Sequence, residues 1–357
     1  MSSPTAGLPV SAIAPAHRFD IARLGEYLHS RIERFGDDLV VHQFQGGASN
    51  PTFLLVTRNG GGFNRYVMRK KPPGVLLPSA HQVDREYRAM KCLSATDVPV
   101  PNARLLCKDD SIIGTAFYVM DYVPGRILMD ASLPNVAPKH RTTIYDEFNA
   151  TLAKLHSVDY AAIGLGDFGR EGDYIARQLG RFTKQYRAAE TERIPEMEEL
   201  LTALPERVPG HRRVAIVHGD FKLGNMIIHP TEPRLVAVLD WELATIGDPL
   251  ADLAFSAFAW HRTTGGKAPL QDVDTSGIPS EHEFVRAYCR RTARDGIEGW
   301  NFYLAFGLFR LASIMQGVYR RVLDGTVASN FASVNLAPDL ARQALALLAD
   351  RSLQTIG

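Results

Sequence analysis

The chain has few cysteines, almost no net charge and no long apolar run. Its three cysteines, Cys92, Cys107 and Cys289, are odd in number and lack metal-binding spacing, so we expect buried thiols in a reducing compartment. The net charge of +1 gives no electrostatic reason to bind nucleic acid or a membrane surface. No apolar run approaches the ~18 residues of a membrane span. These absences favour a cytoplasmic protein.

Length and composition indicate a soluble protein with more than one core. The chain has 357 residues, of which 45% are hydrophobic and 22% are charged, as in ordinary globular proteins. This length is long for one core and suits two lobes. Residues 1–18 are rich in Ser, Pro and Ala and lack a basic start, so they predict a disordered tail instead of a signal peptide.

The most informative segment is residues 218–225, which read His-Gly-Asp-Phe-Lys-Leu-Gly-Asn. Asp220 can accept the proton of an attacking hydroxyl, and Lys222 can neutralise a transferring phosphoryl group. Asn225, together with Asp240 further along, can hold Mg²⁺ through hard oxygen ligands. The segment therefore predicts a phosphoryl-transfer site.

The flanking strands explain why the two metal-binding candidates should meet. Residues 226–228 and 234–239 are strand-like and, apart from Arg234, apolar, and residues 229–233 form a turn signal with two prolines. In a hairpin about that turn, Asn225 and Asp240 fall opposite one another, roughly 5 Å apart.

A glycine-containing loop near the start of the chain is a candidate phosphate cover. Residues 46–50 separate two strand-like segments, and Gly47, Ser49 and Asn50 are placed to reach a triphosphate. The alternative is an ordinary hairpin turn, because glycine is the usual turn residue and the loop matches no standard phosphate-binding motif.

These motifs resemble the catalytic core of the protein-kinase-like superfamily, in particular its aminoglycoside phosphotransferase and choline kinase branch. The stretch 218–220 stands where protein kinases have His-Arg-Asp, and 239–242 where they have Asp-Phe-Gly; residues 247–253 match a segment of this branch. The resemblance implies an α+β bilobal kinase-like fold, with a small β-rich N-lobe and a larger, mostly helical C-lobe. It also implies ATP and Mg²⁺ as cofactors.

The same resemblance implies a division of the chain and a set of nucleotide contacts. Residues 19–122 would form the nucleotide-binding N-lobe, 123–126 a hinge, and 127–357 the helical C-lobe with the catalytic loop and the acceptor site. The main-chain groups expected to pair with the adenine edge belong to Asp121, Tyr122 and Val123.

Arg69 occupies the strand position where protein kinases have a lysine that contacts the α- and β-phosphates. An arginine keeps the charge but changes the donor geometry. Lys70 should point to the opposite face of the strand. Glu86, in the middle of the next predicted helix, is the candidate ion-pair partner of Arg69; the alternative is a solvated helix face.

Other acidic and histidine residues near the motifs have structural interpretations. His218 should orient the loop through backbone hydrogen bonds, and His156 should be structural. Asp248 precedes a proline and is expected to cap a helix, with direct metal binding as the alternative. Glu242 could reach a second metal through water.

Two basic helical stretches bear on the acceptor. One contains Arg177, Arg181, Lys184 and Arg187 on a single helix face, and residues 286–321 hold seven arginines against two acids. Such surfaces suit a substrate with several phosphates, although they could also be solvated faces.

Within the branch, residues 69–74, 79–82, 177–186 and 218–222 resemble the kinase-like segment that is fused to acyl-CoA dehydrogenases in animals. This similarity implies that the acceptor is the hydroxyl of a hydroxyacyl-CoA thioester. Two alternatives stay open. One is an aminoglycoside or choline-like small-amine kinase, and the other is a nucleotide-binding pseudokinase scaffold.

Overall fold

The computed structural model describes residues 5–45, 50–72, 82–170, 172–210, 213–261, 268–325 and 334–357. The chain divides into two units by its internal contacts. The first comprises Met1–Gly125 and Val236–Ala244, and the second comprises Arg126–Leu235 and Thr245–Gly357.

The first unit is built on a six-stranded sheet with strand order β1-β2-β3-β4-β6-β5, in which all neighbours are antiparallel. Its β-branched and aromatic residues are typical of strands. The strands are β1 (Val10–Ser11), β2 (Asp37–Phe44), β3 (Thr52–Asn59), β4 (Gly62–Lys70), β5 (Ala103–Cys107) and β6 (Phe117–Asp121). The helices are α1 (Ile21–His29), α2 (Val83–Leu93) and α3 (Asp110–Ile113).

Helix α1 covers one face of this sheet. The side chain of Asp20 accepts a hydrogen bond from the Arg23 N–H (2.9 Å) and so caps the first turn. Leu24 and Leu28, four residues apart, are fully buried against strand residues such as Phe53. The helix ends at His29, and Ser30 follows as its C-cap.

The prediction of a disordered tail over residues 1–18 is wrong for the part that the structure describes. Val10 and Ser11 pair with Phe44 and Gln43 as strand β1 at the sheet edge. The Gln43 side chain also accepts from the Ala14 N–H (2.9 Å). An edge strand presents backbone groups that need partners, and this short segment satisfies some of them.

The segment Val236–Ala244 belongs to the first unit, which differs from the predicted division at residue 127. Strand β9 (Leu235–Val238) leads into it, and the Val238 N–H donates to the Pro99 carbonyl oxygen (2.8 Å). A short 3₁₀ helix, Trp241–Leu243, then packs against α2. These contacts place Asp240 among the residues of the first unit.

The second unit is mainly helical. Its helices are α4 (Pro138–Ser157), α5 (Tyr174–Ala189), α6 (Pro195–Glu206), α7 (Pro249–Ser256), α8 (Phe258–His261), α9 (Glu281–Arg291), α10 (Trp300–Leu323) and α11 (Ala337–Ala349). Its short strands are β7 (Ala215–Val217), β8 (Met226–Ile228), β10 (Thr245–Gly247), β11 (Ile297–Glu298) and β12 (Thr355–Ile356). Strands β7 and β10 pair antiparallel, as do β11 and β12.

Helix α10 is the central helix of this unit and packs against α5, α7 and α11. Within the described residues it is the one helix long and apolar enough to cross a membrane, and 72% of its most apolar window is buried. The expectation that no apolar run approaches this length overlooked α10, in which Arg310 interrupts the apolar sequence. A buried core helix meets the same criteria, so the finding is weak evidence for a membrane span.

The turn predicted between β8 and β9 is present, since the His229 N–H donates to the Arg234 carbonyl oxygen (2.8 Å). Asn225 belongs to the second unit and Asp240 to the first, so their opposition across the hairpin stays a prediction. The α+β architecture is confirmed, with the sheet in one unit and most helices in the other.

Candidate active site

The loop that follows β7 carries the predicted catalytic residues of the second unit. A buried carboxylate, Asp252 on α7, accepts hydrogen bonds from the N–H groups of His218 and Gly219, the latter at 2.8 Å. Gly219 has φ +86°, a conformation that favours glycine. A single side chain, that of Asp252, therefore fixes the backbone of the His-Gly-Asp tripeptide.

Burial alone would raise the pKa of Asp252, but hydrogen bonds from His156 and from the His218 N–H, together with charge interactions with these two residues, hold it below its usual value. The His156 ring contributes at 3.5 Å through Nε2, while its Nδ1 lies 2.8 Å from the Tyr288 hydroxyl. His218 Nδ1 accepts from the Asp220 N–H (3.2 Å). The predicted structural roles of His156 and His218 agree with these contacts.

Asp220, Lys222 and Asn225 form one polar cluster. Lys222 Nζ lies 2.8 Å from Asp220 Oδ2, and Asn225 Nδ2 donates to the same oxygen (2.9 Å) and to the Asp220 carbonyl oxygen (2.8 Å). Because the Asn225 amide nitrogen is used by Asp220, its carbonyl oxygen is the side-chain atom that can ligate a metal. The cluster thus combines an acid, a cation and an oxygen donor.

The nucleotide-binding candidates of the first unit form a second, buried polar cluster. Arg69 Nη1 lies 2.6 Å from Glu86 Oε2 and 3.0 Å from Asp240 Oδ1. Glu86 is fully buried and also accepts from the Tyr118 hydroxyl (2.9 Å) and from Asn50 Nδ2 (2.8 Å). The predicted pairing of Arg69 with Glu86 is present, and the solvated alternative for Glu86 is wrong.

Burial is the main influence on the ionisation of this cluster. It raises the pKa of Glu86 to about 7, although Arg69 acts in the opposite direction. Burial would lower the pKa of Arg69, but Tyr118, Glu86 and Asp240 together raise it above its ordinary value. Lys70 lies in the apolar core near the rings of Phe19 and Phe53, as its opposite orientation on β4 requires.

Asp240 occupies a backbone conformation that few residues adopt. Its φ of +68° and ψ of +57° are left-handed, and it precedes the 3₁₀ helix that begins at Trp241. Its carboxylate is about one-third exposed, and only Oδ1 is bonded to Arg69. A partly exposed carboxylate with a second oxygen fits the hard ligands that Mg²⁺ requires.

Several predicted nucleotide contacts are not as expected. Asn50 is buried and donates to Glu86 and, at 3.4 Å, to Glu242, so the prediction that its side chain reaches a triphosphate is wrong. The N–H groups of Asp121 and Tyr122 donate to the carbonyl oxygens of Asn102 and Arg65. Those two donors are used by sheet pairing and cannot also bind a base. The predicted contacts Gly47 and Ser49 lie outside the described residues, and Val123 stays a prediction.

The predicted basic surfaces are partly neutralised. Arg187 pairs with Glu198 and Glu190, Arg320 with Asp324, and Arg291 with Asp146. Arg310 is buried over the rings of Phe182 and Phe306. These contacts support the structural alternative for the residues named, and phosphate binding by the other basic residues of the two stretches stays a prediction.

The cap predicted at the start of α7 is confirmed. Asp248 accepts from the Leu250 N–H (2.9 Å) and from the Tyr303 hydroxyl (2.9 Å), which agrees with capping instead of metal binding. The roles of two residues were not predicted from the sequence. Asp252, expected to cap a helix or bind a metal, instead holds the catalytic loop, and Tyr118 bonds to Glu86. No local sequence pattern identifies either contact.

An apolar cavity of about 490 Å³ opens beside the catalytic loop in the second unit. Lys222, Leu223 and Gly224 form one wall. One carboxylate, Asp130, is among the described residues that line the cavity, and it is bonded to the main-chain and hydroxyl groups of Ser132 (2.9 and 2.8 Å). The remaining wall is mainly apolar and includes Tyr145, Phe148, Phe255, Phe258, Ala259 and Pro269.

The sequence model of the phosphotransferase enzyme family matches residues 40–303. The chain belongs to this family. It is 44% identical to a Ralstonia eutropha protein of known structure, provisionally described as an aminoglycoside phosphotransferase; the match covers 93% of this chain and 98% of that one, with a TM-score of 0.83. Choline kinase from Cryptosporidium parvum shares the fold at 12% identity, covering 92% and 93% of the two chains (TM-score 0.60). The predicted kinase-like fold and phosphotransferase class are thereby confirmed.

Curated relatives give a second kind of similarity. The chain is 48% identical to mouse acyl-CoA dehydrogenase family member 10 over 80% of its own length and 27% of that protein. It is 42% identical to human acyl-CoA dehydrogenase family member 11 over 97% of its length and 45% of that protein. The chain therefore spans less than half the length of these relatives. The predicted resemblance to a segment of such proteins is confirmed.

Proposed function

We propose that this phosphotransferase uses ATP and Mg²⁺ to phosphorylate the hydroxyl of a hydroxyacyl-CoA. The observation that carries the acceptor assignment is the apolar cavity beside Lys222, in a chain that is 41–48% identical to segments of acyl-CoA dehydrogenase family members. The dehydrogenase activity in those names is not proposed for this chain, because the phosphotransferase family covers most of the shared segment.

In the proposed reaction, the acceptor hydroxyl oxygen forms a bond to the γ-phosphorus of ATP while the bond to the β,γ-bridging oxygen breaks. Asp220 orients the hydroxyl and takes its proton, and ADP leaves with the bridging oxygen. Lys222, whose ammonium lies next to Asp220, offsets the charge of the transferring group. Positioning and charge neutralisation supply most of the rate increase in such reactions.

The first unit would hold the nucleotide. Arg69, fixed by Glu86, is placed to bind the non-transferred phosphates through its guanidinium. Asp240 and Asn225 would hold Mg²⁺, which neutralises phosphate charge when bound. A related aminoglycoside phosphotransferase of known structure, 17% identical, was solved with ADP and hygromycin B, and it supports ATP use through its fold alone. We expect the protein in a reducing compartment such as the cytoplasm, since its three thiols are unpaired.

Aminoglycoside or small-amine phosphorylation is the second candidate, favoured by the description of the Ralstonia protein. A polycationic acceptor requires complementary acidic groups. Asp130, already bonded to Ser132, is the single carboxylate among the described residues of the cavity wall. A pseudokinase scaffold, the third candidate, has no chemical need for the acid, cation and amide of the catalytic cluster.

The acceptor is tested by transfer of label from γ-labelled ATP with Mg²⁺ to a panel of hydroxyacyl-CoA thioesters, aminoglycosides and choline. Label on a thioester, lost in Asp220→Asn, would support the proposal. Label on an aminoglycoside or choline would replace it with the second candidate. Nucleotide binding without transfer to any acceptor would favour the scaffold.

A further inference from the structure

A short segment of the second unit, residues 127–129, leads to Met129 in the wall of the apolar cavity and is fixed at its first end. The Arg126 N–H donates to the Ile228 carbonyl oxygen (2.7 Å), and the Arg126 carbonyl oxygen accepts the reciprocal bond from the Ile228 N–H (2.8 Å). The Arg126 guanidinium donates to the carbonyl oxygens of His229 and Glu232, each at 3.1 Å. The segment therefore starts from a position anchored to β8.

The other end of the segment is fixed to the cavity wall. The Tyr145 hydroxyl donates to the Ala131 carbonyl oxygen (2.7 Å), and Tyr145 itself lines the cavity from helix α4. Between these anchors, Ile127 is 50% exposed and Met129 is 77% exposed. Single exposed apolar residues are common, but this pair lies on a fixed segment beside an apolar cavity.

Met129 also lies directly over the catalytic loop. Its Sδ atom is 3.2 Å from the position that a Cβ on Gly224 would occupy, and Lys222 Cε is 3.9 Å from the same position. The absence of a side chain at residue 224 thus allows the thioether to approach the loop backbone. The Lys222 ammonium in turn contacts Asp220 at 2.8 Å. Met129 therefore marks the side on which the cavity adjoins the catalytic cluster.

We propose that Met129 and the cavity behind it bind the apolar chain of the acceptor and determine which chain lengths are accepted. This inference rests on the proposed function, which requires an acceptor with an acyl chain. Methionine suits the role because its unbranched, polarisable side chain adapts to ligands of different shape. A bound chain would remove the exposed Met129 side chain and the aromatic cavity wall from water, which is the main source of affinity for apolar ligands.

Affinity should therefore increase with the length of the chain, by up to about fourfold for each methylene that is fully buried. The increase should stop when the cavity is full, since its volume of about 490 Å³ is finite. Ala259, on the short helix α8, lines the cavity and has the smallest side chain among its α8 residues. A larger side chain at this position should shorten the longest chain that fits.

The test is isothermal titration calorimetry of the full chain with saturated acyl-CoA thioesters from acetyl-CoA to decanoyl-CoA. We expect wild-type affinity to increase with chain length. Met129→Ala should weaken decanoyl-CoA binding by about tenfold and leave acetyl-CoA binding unchanged. Ala259→Phe should weaken long chains selectively. Leu323→Ala, at an exposed apolar residue that is not part of the cavity wall, is the matched control and should resemble the wild type.

Equal wild-type affinity for acetyl-CoA and decanoyl-CoA, or an unchanged length dependence in Met129→Ala, would overturn the inference. Met129 is exposed, so its variant should fold even where Ala259→Phe does not. These titrations need no turnover and are independent of the transfer assay. A Met129-dependent length preference without phosphorylation of any thioester would leave the cavity assignment standing and reject the proposed function. Phosphorylation of a thioester without a chain-length preference in binding would support the proposed function and reject the cavity assignment.

Discussion

The two polar clusters of this protein differ in how firmly their residues are held. In the first unit, Glu86 is fully buried and bonded to three side chains, and Arg69 is bonded to two carboxylates. In the second unit, the Lys222 side chain is half exposed and Met129 beside it is mostly exposed. The phosphates of a nucleotide are the same in every turnover, so a fixed cluster suits them. An acceptor whose acyl chain varies in length suits the more exposed residues of the second unit.

The largest effect that separates the two clusters is expected at Asp240. Replacing Asp240 by Ala removes a proposed Mg²⁺ ligand, so turnover should decrease by about 10³-fold or more while the fold is retained. The measurement is the rate of phosphoryl transfer with Mg·ATP, with circular dichroism to check folding. Asp324→Ala, at a surface aspartate paired with Arg320, is the control. Turnover close to the wild-type rate in Asp240→Ala would refute the metal assignment.

The next largest effect is expected at Asp252, which holds the open cluster from its buried side. Asp252→Asn places amide hydrogens against the N–H groups of His218 and Gly219. The free energy of unfolding should decrease by about 3 kcal/mol, and kcat should fall at least tenfold because the loop loses its support. Denaturant unfolding and steady-state kinetics measure these two quantities.

Asp248→Asn is the matched control for Asp252, because Asp248 is buried on the same segment but contacts Leu250 and Tyr303 instead of the loop. It should reduce stability without a comparable loss of kcat. If both variants reduced kcat equally, the effect of Asp252 would be one of general stability and not of loop position.

A smaller effect is expected in the buried cluster at Tyr118. Tyr118→Phe removes one of the three hydrogen bonds to Glu86, which should cost about 1 kcal/mol of stability. Because Arg69 would be less well oriented, the KM for ATP should rise a few-fold while the KM for the acceptor stays constant. Tyr303→Phe removes a buried hydroxyl from Asp248 and serves as the control. An unchanged KM for ATP would show that Tyr118 does not act on the nucleotide.

The last expected effect concerns the pH dependence of stability. Because burial raises the pKa of Glu86 to about 7 from 4.5, the folded state binds this proton more tightly than the unfolded state. The contribution of Glu86 to stability is therefore present below pH 4.5 and is lost as the pH rises through about 7. Glu86→Gln should flatten the pH dependence of the unfolding free energy over this range. Identical slopes for wild type and variant would contradict the assignment.

Local patterns predicted the elements of the structure better than their long-range contacts. The alternation along β4 placed Arg69 and Lys70 on opposite faces, and the position of Glu86 in the middle of the next predicted helix made it the candidate partner of Arg69. The Asp-Pro pair at 248–249 predicted a helix cap, which is a contact between neighbours in sequence. In each case the pattern and the contact lie on one element or on adjacent ones.

The contacts that the sequence analysis missed join residues far apart in the chain. The Asp252 carboxylate accepts hydrogen bonds from backbone N–H groups 33 and 34 residues earlier in the chain. Because nearly every residue has such an N–H group, the sequence does not identify these partners. Asn50 was assigned to phosphate because it lies in a glycine-containing loop. Its side chain is instead buried and donates a hydrogen bond to Glu86, 36 residues away in the sequence. The basic stretches on α5, α9 and α10 suited anion binding, whereas acidic residues on other helices or turns pair with several of their arginines.

The central claim is that the catalytic cluster transfers phosphate to a hydroxyl on an acyl chain. The most direct measurement is ³¹P NMR of the full reaction with ATP, Mg²⁺ and a hydroxyacyl-CoA, alongside the matching acyl-CoA that lacks the hydroxyl. We predict a new phosphomonoester signal coupled to a proton of the acyl chain, absent with the matching thioester and absent in Asp220→Asn. Appearance of free phosphate alone, or of the same signal from both thioesters, would contradict the account.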